Sequence, residues 1–114
     1  MFNINESNKK ITLSGEELLE ALKEINIILI SLNKMGSFYG DKFQSNDSSV
    51  EMEYAFETTK FIDEWEVTQR LAKVREILSV KFDRSLGDDD MDDLERSIED
   101  LNFWSKPGDK PDEN

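Results

Sequence analysis

The chain has 114 residues, with 26 acids, 14 bases and a formal net charge of −12. That length suits one domain with a modest core. The lack of histidine removes the commonest general base and zinc ligand, and the lack of cysteine removes disulfides and thiolate chemistry.

The first ten residues, MFNINESNKK, are polar and carry no apolar leader segment. They are expected to fray, with 10–13 (KITL) as a short extended lead-in. Residues 14–35, SGEELLEALKEINIILISLNKM, form the central element. Ser14 with Glu17 makes a capping box. Leu18, Leu22, Ile25, Leu29 and Leu32 recur at spacings of four and three, one stripe of a helix. Ala21, Ile28 and Met35 widen that stripe, and Ile27 and Ile30 fall off it. The second half is thus apolar nearly all round, which predicts burial on several sides. A competing reading makes 25–32 a buried strand, but EELLEALKE is a strong helix former. Gly36 is the expected stop.

Residues 36–49 read as a loop rich in Gly, Ser, Asn and Asp, with Phe38, Tyr39 and Phe43 tucked against the core or forming a contact patch. Ser48 with Glu51 marks a second helix over 49–61, with Met52, Ala55, Phe56 and Thr59 facing inward. Asp63 with Glu66 marks a third start around Trp65, which is expected in the core. Val67, Leu71, Val74 and Leu78 form the next stripe. Whether 49–82 is one bent helix or two stays open. After a turn at 83–87, residues 88–101 are expected to be a final helix with Met91, Leu94, Ile98 and Leu101 inward. Its leading acids suit the positive end of the helix dipole. Phe103 and Trp104 close the core, and 105–114, with both prolines, is a disordered acidic tail. The expected fold class is therefore all-α, a single small helical bundle of about four helices over 1–104. No apolar run reaches the length of a membrane span, so a soluble, cytoplasmic protein is expected.

Charge is unevenly placed. Residues 83–114 hold twelve acids and four bases. Such a surface repels nucleic acid and attracts basic proteins. The run Asp88, Asp89, Asp90, Asp92, Asp93 and Glu95 partly mimics a calcium loop, with Glu99 at its twelfth position. The mimicry fails where the turn needs glycine and the chain has Asp93. The plainer reading is a helical first turn whose acids pair with Arg70, Arg75 or Arg84. Like charges within one turn repel, however, so the cluster also suggests a use. Asp63, Glu64 and Glu66 around Trp65 form a second acidic group. A carboxylate pair of the glycosidase kind needs a facing cleft, which nothing here marks. Basic patches, phosphate loops and metal-ligand clusters are absent from the sequence.

Residues 61–108 resemble small bacterial immunity proteins of contact-dependent inhibition and related polymorphic toxin systems. The resemblance rests on R-x-x-L-x-x-x-F-D at 75–83, the block LGDDDMDDLE at 86–95, and the pair Phe103–Trp104 before a Gly/Pro tail. It implies a non-catalytic inhibitor, without cofactor, that binds one cognate toxin domain and covers its active site or substrate path. Many such toxins are nucleases with basic clefts, which an acidic surface would suit. Candidate partner-binding residues are then Asp63, Glu64 and Glu66, with Asp88, Asp89, Asp92, Glu95 and Glu99, and Tyr39 and Phe43 as anchors. The alternative is an acidic helical adaptor or nucleic-acid mimic that occupies basic protein surfaces. No direct nucleic-acid or membrane contact is expected on either reading.

Overall fold

A computed structural model of the chain describes residues 3–44 and 49–109. These residues are all-α: a 3-10 turn at Glu6–Asn8, then α1 (Gly15–Phe43), α2 (Ser49–Glu64), α3 (Val67–Ser79) and α4 (Asp93–Ile98), with no strand among them. The chain divides into two compact units. One is Leu13–Val80; the other joins Met1–Thr12 to Lys81–Asn114.

In the unit Leu13–Val80, α1 is the hub on which α2 and α3 both pack. Its start is as expected. Ser14 accepts from the Glu17 amide, and the Glu17 carboxylate accepts from the Ser14 amide. Its end is not. The helix runs through Gly36 and Gly40 to Phe43, so most of the expected 36–49 loop is helical. Two glycines cost the helix about 1 kcal/mol each. Aromatic packing offsets this. Tyr39 stacks on Tyr54 with ring centroids 5.1 Å apart, and Phe43 meets the same ring edge-on at 6.2 Å.

The buried face also differs. Leu18, Leu22, Leu29 and Leu32 are exposed, Leu22 at 48%, while Ala21, Glu24, Ile28 and Tyr39 are buried. Only two helices, both shorter than α1, cover a rod that is apolar over most of its circumference. They take the side where α3 finds charge partners. Arg70 reaches buried Glu24 at 3.0 Å, and Lys73 reaches Glu20 at 2.9 Å. Ala21 and Ile28 lie on that side. The same correction applies to α2. Met52, Ala55, Phe56 and Thr59 face solvent, and Val50 and Phe61 are buried. In α3 only Val74 of the expected stripe is fully covered. Ser48, the expected cap of α2, lies outside the described residues.

Residues 49–82 hold two helices, not one. Between them Glu66 adopts a left-handed conformation, φ 52°, and makes no side-chain cap, so the expected Asp63–Glu66 box does not form. Arg70 holds the break instead, donating from Nε to the Trp65 carbonyl at 2.8 Å.

The second unit is built on polar contacts. The N-terminal segment is not frayed. Asn8 is buried, donates to the Asp83 carbonyl (2.9 Å) and to Asp93 Oδ2 (2.7 Å), and accepts from the Asp83 amide (2.7 Å). Lys81 donates to the Thr12 carbonyl at 3.1 Å. The expected helix over 88–101 shrinks to the six residues of α4, because Asp92 is its N-cap and forms a capping box with Glu95. Residues 88–90 therefore precede the helix. Ile98, Leu101, Phe103 and Trp104 are all exposed, so the aromatic pair does not close a core. Of the expected tail, 105–109 contains a turn, with the Asp109 amide donating to the Lys106 carbonyl. Residues 110–114 lie outside the described residues.

Candidate protein-binding surface

The ten sequence-predicted binding residues fall in different settings. Asp63, Glu64 and Glu66 all lie exposed at the break between α2 and α3. Between them Trp65 is 51% exposed rather than in the core. Its ring lies against buried Phe61 at 5.8 Å between centroids, which holds the indole in place while leaving half of it open. The break produces this arrangement. α2 ends at Glu64, the Trp65 amide still bonds the Phe61 carbonyl, and the left-handed turn at Glu66 redirects the chain. Hollows flank the indole. One, of about 420 Å³, is lined by Ser31, Met35, Phe61 and Glu64 with Lys34 and Lys60. The other, of about 360 Å³, is lined by Ile27, Ile30 and Asn26 with Lys23. Acids crown the break, and lysines rim the hollows beside it.

Tyr39 is buried and is a packing residue, not an anchor. Burial also raises the pKa of its phenol. Phe43 is half-exposed in the same aromatic cluster, where Lys42 sits 4.6 Å over the Phe38 ring.

The acids of the other unit are mostly engaged internally. Asp92, 2% exposed, accepts from the Glu95 amide at 2.8 Å and from Arg84 Nε at 2.7 Å. It cannot project to a partner. Asp93 accepts from Asn8, from the Asn5 amide (2.9 Å) and from Arg96 Nη1 (2.8 Å). Asp89 receives a two-pronged grip from Arg96, at 2.7 and 3.0 Å, the bidentate geometry a guanidinium favours. Arg96 also bonds the Met91 carbonyl and lies so close to Gly87 that a side chain there would collide with it. Arg84 is thus a pairing partner as expected, while Arg70 turns instead to Glu24 and Arg96 is the residue the sequence reading missed. Its position three residues after Asp93 was the available signal.

The electrostatics follow from these bonds. Hydrogen bonds from Ser7 and Ser85 hold the Asp83 carboxyl down at about 2. Arg96 holds Asp89 at about 2. The Glu95 amide and then Arg84 lower Asp92, and Asn8 with the Asn5 amide and Arg96 lower Asp93. Asp88, Glu95 and Glu99 remain at the surface of this unit, and Trp104 is 83% exposed. Among the described residues no group of carboxylates is arranged to hold a metal ion. No helix among them is long and apolar enough to cross a membrane.

Neither a protein-family model, nor a curated protein, nor a solved structure matches this chain.

Proposed function

We propose that the chain is a non-catalytic inhibitor of the immunity type, binding one cognate toxin domain in the cytoplasm and covering its active site or substrate path. The partner is a basic domain, with a nuclease the best fit to the charge. The observation that carries this reading is the half-open Trp65, seated on Phe61 and crowned by exposed Asp63, Glu64 and Glu66. Tryptophan is one of the residues enriched at interface hot spots. Carboxylates around it would speed encounter with a basic surface and select for it. The resemblance of residues 61–108 to immunity proteins includes this stretch. Asp88, Glu95 and Glu99 offer further acids, while Asp92 and Tyr39 are withdrawn from the interface.

This reading requires a toxin domain encoded beside this chain's gene, and that domain is the binding partner in the test. Asp63→Lys and Glu64→Lys should each slow association, most strongly at low salt, with circular dichroism unchanged. Trp65→Ala should weaken binding by about 2 kcal/mol or more, the hot-spot range. Full protection of toxin-bearing cells by all three variants would overturn this surface. Equal binding to unrelated basic proteins, with one common salt slope, would replace the inhibitor by the acidic adaptor or mimic.

A further inference from the structure

The stripe that should have been core is open. Leu18, Leu19, Leu22, Leu29, Ile30 and Leu32 on α1 are each between 41% and 67% exposed. On a helix with 3.6 residues per turn, these residues and Ile25 occupy nearly half the circumference of α1. Within that sector only Asn26 and Asn33 are polar, and no residue between Leu18 and Leu32 in it is charged. In a chain of net charge −12 that gap is informative, because a face meant for a basic partner would carry acids.

We infer that this face pairs with the same face of a second copy, forming a two-fold symmetric, antiparallel dimer through α1. Three observations favour this occupant. The spacing of Leu18, Leu22, Ile25, Leu29 and Leu32 is the strict four-three alternation of a coiled-coil seam, which is complementary to itself. The uncharged flanks let two strongly acidic copies meet without like charges facing each other across the seam. The charges at the ends of the seam are polarised. Glu20, Glu24 and Lys42 are held within the molecule by Lys73, Arg70 and Glu53, while Glu16 lies just before Leu18 and Lys34 just after Leu32. An antiparallel pair sets each acidic end beside the other copy's basic end and opposes the helix dipoles. The seam extends about 20 Å from Leu18 to Leu32. It offers a patch of several hundred Å², less than the roughly 800 Å² per partner of a standard interface. The dimer is accordingly weak and reversible, with its population set by concentration.

Sedimentation velocity over a concentration series, micromolar to millimolar, reads this directly. The full chain should shift from monomer toward dimer, and added salt should leave or strengthen the shift. Leu22→Glu and Leu29→Glu sit at half-exposed positions, so both should keep the helical spectrum. Each should weaken dimerisation about tenfold or more, a difference of about 1.4 kcal/mol. Met52→Glu, on the exposed side of α2, should dimerise like the parent. A monomer throughout the series overturns the inference and leaves the face to another protein. So does a dimer indifferent to Leu22→Glu and Leu29→Glu. Because the chain has no cysteine, a single Leu18→Cys reports orientation. Rapid disulfide formation at that site would mean parallel helices and overturn the antiparallel pairing. Loss of toxin binding in the Trp65 variants with dimerisation intact would separate the two proposals.

Discussion

Phe61 and Asp93 are buried to similar degrees, 7% and 3% exposed, in units that cohere by different means. Around Phe61, in Leu13–Val80, apolar faces of three helices meet and ion pairs stitch their edges. Around Asp93, where the two ends of the chain join, there is one six-residue helix. An asparagine and two arginines there gather carboxylates that would otherwise repel. Both solutions are legitimate ways to keep a small acidic chain folded. The first depends mainly on area removed from water, with the Glu24–Arg70 and Glu20–Lys73 pairs as its acid-sensitive contacts. The second depends on the charge state of Asp83, Asp89, Asp92 and Asp93, and on the buried amide of Asn8, which donates and accepts at once.

Substitutions can break this contrast. The largest effect should be Phe61→Ala, which removes the largest buried side chain of α2 and should cost about 3 kcal/mol in denaturant unfolding. A cost near zero would mean the helical unit does not depend on that side chain. Next comes Asn8→Ala. It strands buried polar partners and should cost about 2 kcal/mol, detected as faster amide exchange in α4 with α1 and α3 protected as before. Loosening of both units together would show that they are one cooperative structure. Leu22→Ala should cost only about 1 kcal/mol, since half of the side chain is already in water; a loss of several kcal/mol would return the Leu18–Leu32 stripe to the core. The smallest change should be a gain. Glu66→Gly relieves a left-handed conformation that glycine adopts freely, and should stabilise by about half a kcal/mol. No gain would mean that the glutamate side chain contributes something that offsets the strain.

Much of the helical unit was legible because its signals are local. The Ser14–Glu17 box and the helical stripe from Val67 each follow from a few neighbouring residues, whereas the break between α2 and α3 stayed open in the sequence, because a left-handed Glu66 makes it and no Asp63–Glu66 cap does. The buried side of α1 was not legible. A helix apolar over most of its circumference has no unique inner face, and the choice fell to Glu24 and Glu20 meeting Arg70 and Lys73 across 46 and 53 positions of sequence. The passage through Gly36 and Gly40 was hidden for the same reason, since Tyr54 supports it from another helix. In the terminal unit the acids read as one helical run, yet Asp92 is the better cap and cuts that run short. Asn8 gave no signal of its own. Its role exists only once residue 83 and residue 93 are beside it. Of the candidate binding residues, the exposed acids around Trp65 were found from sequence, although the tryptophan's exposure was not.

Carboxylates hold the terminal unit and chiefly helix packing holds the other, so acid separates the two. Asp83 and Asp89 are depressed from an ordinary 3.8 to about 2, and Asp92 and Asp93 are lowered as well. A depressed folded pKa stabilises the fold above the unfolded value, and that stabilisation is lost as pH falls through the folded value. The direct measurement is an amide-correlation NMR titration between about pH 6 and pH 2, following Asn8, Asp93 and Arg96 against Ala21, Ile28 and Val74. The first three should lose their dispersed signals as pH falls from about 4 toward about 2, while the second three keep theirs. Simultaneous loss at all six positions, or earlier loss at Ala21, Ile28 and Val74, would contradict this separation.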